Sequence, residues 1–204
     1  MATTDVADRV HIWKNAEVYI SIVGATDPKA EADGTFGADW LQVGILADGS
    51  SIGQERDADR TEILGWSSQL IATDQKFKKD TRTFTSLEDN EVVWSLMWPN
   101  SEFPEAGTPT VVLAPQDAQR YIGFRTTDQN GNVHVEVSRL EANIYPSSMD
   151  KADDGASTTE FTVEIRKDAD GALYDKAVFS GTGVNVATPD VIRFKTAGTD
   201  PENP

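Results

Sequence analysis

Between Trp40 and Pro99 the spacing of apolar residues changes period, and that change organises the chain. WLQVGIL opens the stretch with Leu41, Val43 and Ile45 at every second position, the mark of a half-buried strand, with Gly44 as a bend and Asp48-Gly49 as a turn. The Thr-, Ile- and aromatic-rich run that follows is long enough for two strands joined near Ser67-Ser68. From Ser86 the period becomes helical. Leu87, Trp94 and Trp98, with Val93 and Met97 beside them, share one face and predict a helix over about 86–98, packed by these five residues against a sheet. Ser86 is placed to cap it, with Asp89 completing the box and Pro99 stopping it.

Elsewhere alternation dominates. Residues 16–23 predict the first strand, with Val18, Ile20 and Ile22 on one face; the preceding 1–15 read as an N-terminal arm whose Val10, Ile12 and Trp13 dock on something. Residues 24–39 form a Gly-, Ala- and Asp-rich loop, well beyond an ordinary connection. Its lone aromatic, Phe36, is an anchor either for its own domain or for another subunit. TVVLAP predicts a short strand closed by Pro115. Two runs flanking Gln129-Asn130-Gly131 predict a hairpin, because Asn-Gly accepts positive φ, and Val133, Val135 and Val137 fall on one face of it. A second hairpin is predicted where TEFTVEIRK and ALYDKAVFS flank Asp168-Ala169-Asp170-Gly171, with Phe161, Val163 and Ile165 alternating; VIRFK adds a last strand. Together these elements predict a mainly β (α+β) fold: two packed sheets, as a sandwich or barrel, with one flanking helix and an extended N-terminal arm and loops. A single β domain over 16–195 is expected, with a flexible tail at 196–204.

Charge narrows the function. The 204 residues carry 34 acidic and 18 basic side chains, a formal charge of -16, which opposes simple attraction to DNA or an anionic membrane. Cysteine is absent, so disulfides and thiol chemistry are excluded. No stretch reads as a signal peptide, and none approaches the roughly 20 apolar residues of a membrane span.

Candidate chemistry is sparse. His11 and His134 stand in no ligand or triad context, and His134 reads as a strand residue facing away from the core. Asp150, Asp154 and Gly155 start like a calcium loop, but Ala152 and Phe161 occupy ligand positions, so the motif fails. Asp168, Asp170 and Gly171 are explained by turn chemistry. No catalytic residue, metal site or cofactor is expected. The one local excess of positive charge is Lys76, Lys78, Lys79 and Arg82; on a regular strand Lys76, Lys78, Asp80 and Arg82 share one face, and Phe77, Lys79, Thr81 and Thr83 the other. In so acidic a chain a basic strand best meets an acidic surface on an identical neighbour; a solvated edge strand guarded by lysines is the plain alternative.

The order of WLQVG, the acidic loop ADGSSIGQERDADRTEI with its following GW, a Thr- and Lys-rich strand and the run TSLEDNEVVWSLMW resembles the major tail (tail tube) proteins of long-tailed, non-contractile bacteriophages. The likeness is specific from Trp40 to Trp98 and looser up to Ser180. It implies a non-enzymatic virion protein, assembled in the host cytoplasm, whose hexameric rings stack into a tube. DNA would pass through the lumen without specific binding. The resemblance also implies tape measure, tail terminator and distal tail proteins as partners, no membrane, and here no C-terminal immunoglobulin-like domain. A barrel of about 24 strands, spaced ~4.8 Å and tilted ~40°, has a backbone diameter of roughly 50 Å, wide enough for duplex DNA. On this reading Lys76, Lys78, Lys79 and Arg82 lie at a subunit boundary opposite Asp57, Asp59 or Glu62, and the loop and arm, through Trp13, Asp27, Phe36 and Asp39, bridge successive rings. The competing reading is a monomeric β-sandwich module that binds carbohydrate or a surface partner.

Overall fold

Alternating apolar residues place nearly all strands where the sequence pattern puts them, and their hydrogen-bonded order sorts them into two sheets. The computed structural model describes residues 12–180 apart from 49, 50, 65, 67, 68, 152 and 154. The described elements are β1 (Trp13–Ser21), β2 (Trp40–Gln42), β3 (Gly53–Leu64), β4 (Leu70–Ser86), α1 (Glu91–Met97), β5 (Ala118–Arg120), β6 (Ile122–Asp128), β7 (Val133–Ser138), β8 (Ala142–Asp150), β9 (Thr158–Ile165) and β10 (Tyr174–Phe179). Sheet I runs β10-β7-β6-β1-β2 and sheet II runs β3-β4-β9-β8-β5, and the neighbouring strands among the described residues pair antiparallel. The predicted sandwich with a flanking helix is the observed architecture.

The core lies between the sheets. Val18, Ile20, Ile122 and Phe124 of sheet I meet Phe84, Phe161, Val163, Ile165 and Ile144 of sheet II, with Phe84 stacked on Phe161 at 5.2 Å. The helix closes one side of this core beside β5 and β8, burying Val93, Leu96 and Met97, while Trp94 and Trp98 pack half-buried against it.

A second apolar cluster lies on the other face of sheet I. Val135, Val137 and Phe179 share that face with Tyr19 and Trp40, and Ala30 and Phe36 of the loop roof them. Phe36 stacks on Tyr19 at 4.3 Å, meets Trp40 edge-on, and sits so close to Gly123 that a Cβ there would come within 2.3 Å of its ring. The long loop 22–39 is therefore docked on its own domain. Its Asp27 has φ 46° and pairs with Lys29, and the Asp39 carbonyl accepts from the Ile22 N–H.

Several local readings change. Ser86 ends β4 instead of capping the helix; its backbone is used by the sheet, its Oγ accepts from the Glu88 N–H, and the cap falls to Asn90, whose Oδ1 accepts from the Val93 N–H at 2.9 Å. The helix is thus shorter than 86–98, and Leu87 sits before it, half-buried, with its N–H bonded to the Ile45 carbonyl. Only Trp40–Gln42 of the WLQVGIL run forms a strand, and while Val43 is buried, Leu41 and Ile45 are exposed at the sheet edge. TVVLAP makes no strand, since Val111, Val112 and Leu113 remain exposed and gain no ladder partner. Finally, Asp168-Gly171 forms its turn, but β9 and β10 belong to different sheets, so the chain crosses from one layer to the other there. The first strand begins at Trp13 within the predicted arm. His11, the rest of 1–11, VIRFK and the 196–204 tail lie outside the described residues.

Candidate functional site

The hairpin β3–β4 extends past the rest of sheet II. Only Asp80–Ser86 of β4 pairs with β9; residues 70–79 have β3 alone beside them. At ~3.3 Å per residue this overhang reaches about 33 Å from the sandwich. A two-stranded ribbon on its own is marginal in water, yet this one carries Ile63, Leu64, Leu70 and Ile71 exposed near a fully exposed Trp66. Such a tip is built to be covered.

The register explains how the hairpin's charges are sorted. Asp57 pairs with Lys79 and Ala58 with Phe77, so Lys78 is an extra residue in β4. This bulge reverses the simple alternation: Phe77 moves to the side of Asp80 and Arg82, where with Arg56, Asp57, Ala58, Arg60, Gln75 and Leu173 it lines a groove of about 610 Å³. Lys76 and Lys78 move to the opposite side, where Lys78 pairs with Asp59 at 2.8 Å. Lys79 pairs with Glu164 on β9. These ion pairs hold the Lys78 and Lys79 pKa values above the ordinary lysine range.

Arg82 stands apart from the lysines. Its side chain is 8% exposed, donates to Glu136 at 2.6 Å and to the Tyr174 hydroxyl at 3.0 Å, and lies 3.5 Å from Asp80. It thereby bolts sheet II to sheet I at the root of the hairpin. Burial opposes its charge, but the Tyr174 hydrogen bond and the neighbouring acids more than offset this and raise its pKa. Burial in turn pushes the Tyr174 phenol up. The Asp80 carboxylate, fully buried, accepts from Gln54 Nε2 at 2.6 Å and lies 3.5 Å from Arg56.

The charges on the hairpin are paired largely within the chain. Lys78 meets Asp59 and Lys79 neighbours Asp57 within one chain, Glu62 lies opposite Thr73 near the tip, and Arg82 is interior. Of the inter-ring candidates, Phe36 is engaged in its own domain, Asp27 and Asp39 are on the surface of the docked loop, and Trp13 lies half-exposed, edge-on to His134 at 4.9 Å. His134 is half-buried between the sheets, facing the core side of β7, and 3.5 Å from the Asp128 carboxylate.

The uncovered face of sheet II is the other distinctive surface. Inward-pointing Phe161, Val163 and Ile165 leave Glu160, Thr162 and Glu164 of β9 on the outside; beside them stand Thr81, Thr83 and Thr85 of β4, Glu55 of β3, and Asn143 and Tyr145 of β8. This face is a threonine ladder edged by carboxylates, with Lys79 already neutralised by Glu164. Unlike sheet I, it has no roof among the described residues.

Comparison with solved structures gives loose likenesses. The tube-terminating cap of the anti-feeding prophage, solved by cryo-EM, is similar over 80% of this chain and 94% of that chain, with 13% identity and a TM-score of 0.40. No protein-family model matches, and no curated protein does. Among the described residues no helix is long and apolar enough to cross a membrane, and no group of three or more His, Asp or Glu side chains is placed to hold a metal ion.

Proposed function

We propose that this chain is a structural subunit that polymerises through sheet II and its hairpin into stacked hexameric rings, forming a phage tail tube with an anionic bore. The observation that carries the reading is the overhanging hairpin: residues 70–79 leave the sandwich with β3 alone for support and end in exposed Ile63, Leu64, Leu70 and Ile71. A lone protein gains nothing from that arrangement, whereas a neighbour's surface both supports the ribbon and removes its apolar tip from water.

The bore follows from the uncovered face of sheet II. A wall of threonines and carboxylates, with Lys79 paired to Glu164, repels phosphate, which suits passage of DNA without binding. The sequence resemblance to tail tube proteins supplies the rest of the proposal: a non-catalytic component of the virion, built in the host cytoplasm, with tape measure, terminator and distal tail proteins as partners. Negative-stain microscopy and sedimentation of the purified chain test it. Rings or tubes are expected for the wild type, and folded monomers for the triple variant Leu64→Ser, Leu70→Ser, Ile71→Ser. A wild type that stays a single small particle at high concentration, or tubes from the triple variant, would refute the proposal.

A further inference from the structure

The groove beneath the overhang and the failed strand TVVLAP lie at opposite edges of sheet II. The groove belongs to β3 and β4, at one end of the order β3-β4-β9-β8-β5; residues 110–115 lead directly into β5, at the other. With strands ~4.8 Å apart, the two edges are about 19 Å from each other. We infer that the groove of one copy takes the extended segment 110–115 of a second copy, making a head-to-tail contact that closes into a ring. This inference rests on the self-assembly reading and names its contact.

Shape and charge agree. The segment presents Val111, Val112 and Leu113, with Val111 76% exposed, and is pinned by the Leu113 N–H donating to Ser101 Oγ at 2.9 Å. The groove's lining on β3 runs from Arg56 to Arg60, about 13 Å, and the three extended residues Val111–Leu113 span about 10 Å, so this apolar centre of the segment fits within it. Apolar floor residues Phe77, Ala58 and Leu173 suit the valines and the leucine. Around them Arg60 has no ion pair among the described residues and Arg56 reaches only Asp80, at 3.5 Å. The segment's flanks supply the opposite sign, since Glu102 and Glu105 near Phe103 also lack ion pairs among the described residues. Toward the tip the same wall continues with Glu62, so the basic stretch is confined to the end of the groove nearest the sandwich. The contact is heterologous: one edge of each copy meets the other edge of the next, the arrangement that generates closed rings.

Cysteine cross-linking reads this contact directly, because the chain has no cysteine of its own. Gln75→Cys and Val112→Cys variants, mixed and mildly oxidised, are expected to give a disulfide-linked heterodimer. Thr61→Cys, on the opposite side of the ribbon, is expected to give none with Val112→Cys. Arg60→Glu should lower the cross-link yield, and adding Glu105→Arg should restore it. Rings or tubes by microscopy without the Gln75–Val112 cross-link would overturn this inference and leave the assembly reading standing; absence of any assembly would remove both. A cross-link that forms only within single chains of the double cysteine variant would also overturn it, since the segment would then cover its own groove.

Discussion

Replacing Arg82 by Met separates the interior charge from the surface lysines that surround it in sequence. Met keeps the length of the stem and loses the guanidinium. The change removes the 2.6 Å bond to Glu136, the 3.0 Å bond to Tyr174 and the 3.5 Å contact with Asp80. Two of the three partners keep other contacts: Glu136 retains Lys176 at 2.5 Å, and Asp80 retains Gln54 at 2.6 Å and Arg56 at 3.5 Å. The cost should therefore fall at the low end of the range for a broken buried pair, about 3 kcal/mol. With a urea dependence of ~2 kcal/mol per molar, the unfolding midpoint should drop by roughly 1.5 M. Lys78→Met, which loses only the exposed pair with Asp59, should leave the midpoint where it is. Equilibrium urea unfolding followed by tryptophan fluorescence reports both. A drop for Arg82→Met smaller than about 0.5 M would refute the view that this arginine holds the two sheets together.

Further outcomes test the loop, the turn and the helix. Gly123→Ala should destabilise the domain by about 1–3 kcal/mol, because its Cβ would meet the Phe36 ring, and the cost should shrink in a Phe36→Ala background when both are followed by thermal unfolding. Asp128 is buried, which by itself opposes its charge, but bonds from the Asn132 side chain and from the Asn132 and Asn130 N–H groups lower its pKa from 3.8 to about 2. Its stabilising effect should be complete above the unfolded-state pKa and disappear as pH falls through the folded one. Wild-type melting temperature should therefore fall more steeply than that of Asp128→Asn between pH 4 and 2; parallel curves would contradict the assignment. Leu96→Ala should cost about 3 kcal/mol as a core truncation, and Leu87→Ala clearly less, in the same urea assay.

The sandwich was legible where pattern and turn chemistry agree. Asn130-Gly131 supplies the positive φ its turn needs, and β6 and β7 pair as the alternation requires. Asp168-Gly171 offers the same kind of turn, yet its two strands part into different sheets, because a tight turn sets the reversal of the chain but not which layer receives the second strand. The helix start was obscured because Ser86 satisfies the capping pattern while its backbone is already spent on the β ladder. On the hairpin the strand was legible but its faces were not: one extra residue, Lys78, exchanges the sides of Phe77 and Lys76. The docking of Phe36 left a faint trace in Gly123, whose missing Cβ lets the ring approach the sheet, and in Gly34, which does the same for Phe179.

The two sheets solve the same problem in opposite ways, and the difference bears on which surface is left for partners. Sheet I exposes Val135, Val137 and Phe179 on its second face and must cover them, which it does by lending the loop 22–39 as a roof. Sheet II has no apolar ladder on its second face; threonines and glutamates there are stable in water, so no roof is required. What sheet II leaves unsatisfied lies at its margins instead: an overhanging ribbon with an apolar tip at β3–β4, and an exposed Val-Val-Leu run leading to β5. Covering both margins with copies of the same chain would leave the threonine face open along the whole assembly. A face of that composition stays in water more readily than it enters a packed interface, because burying its carboxylates would cost more than the available lysine returns.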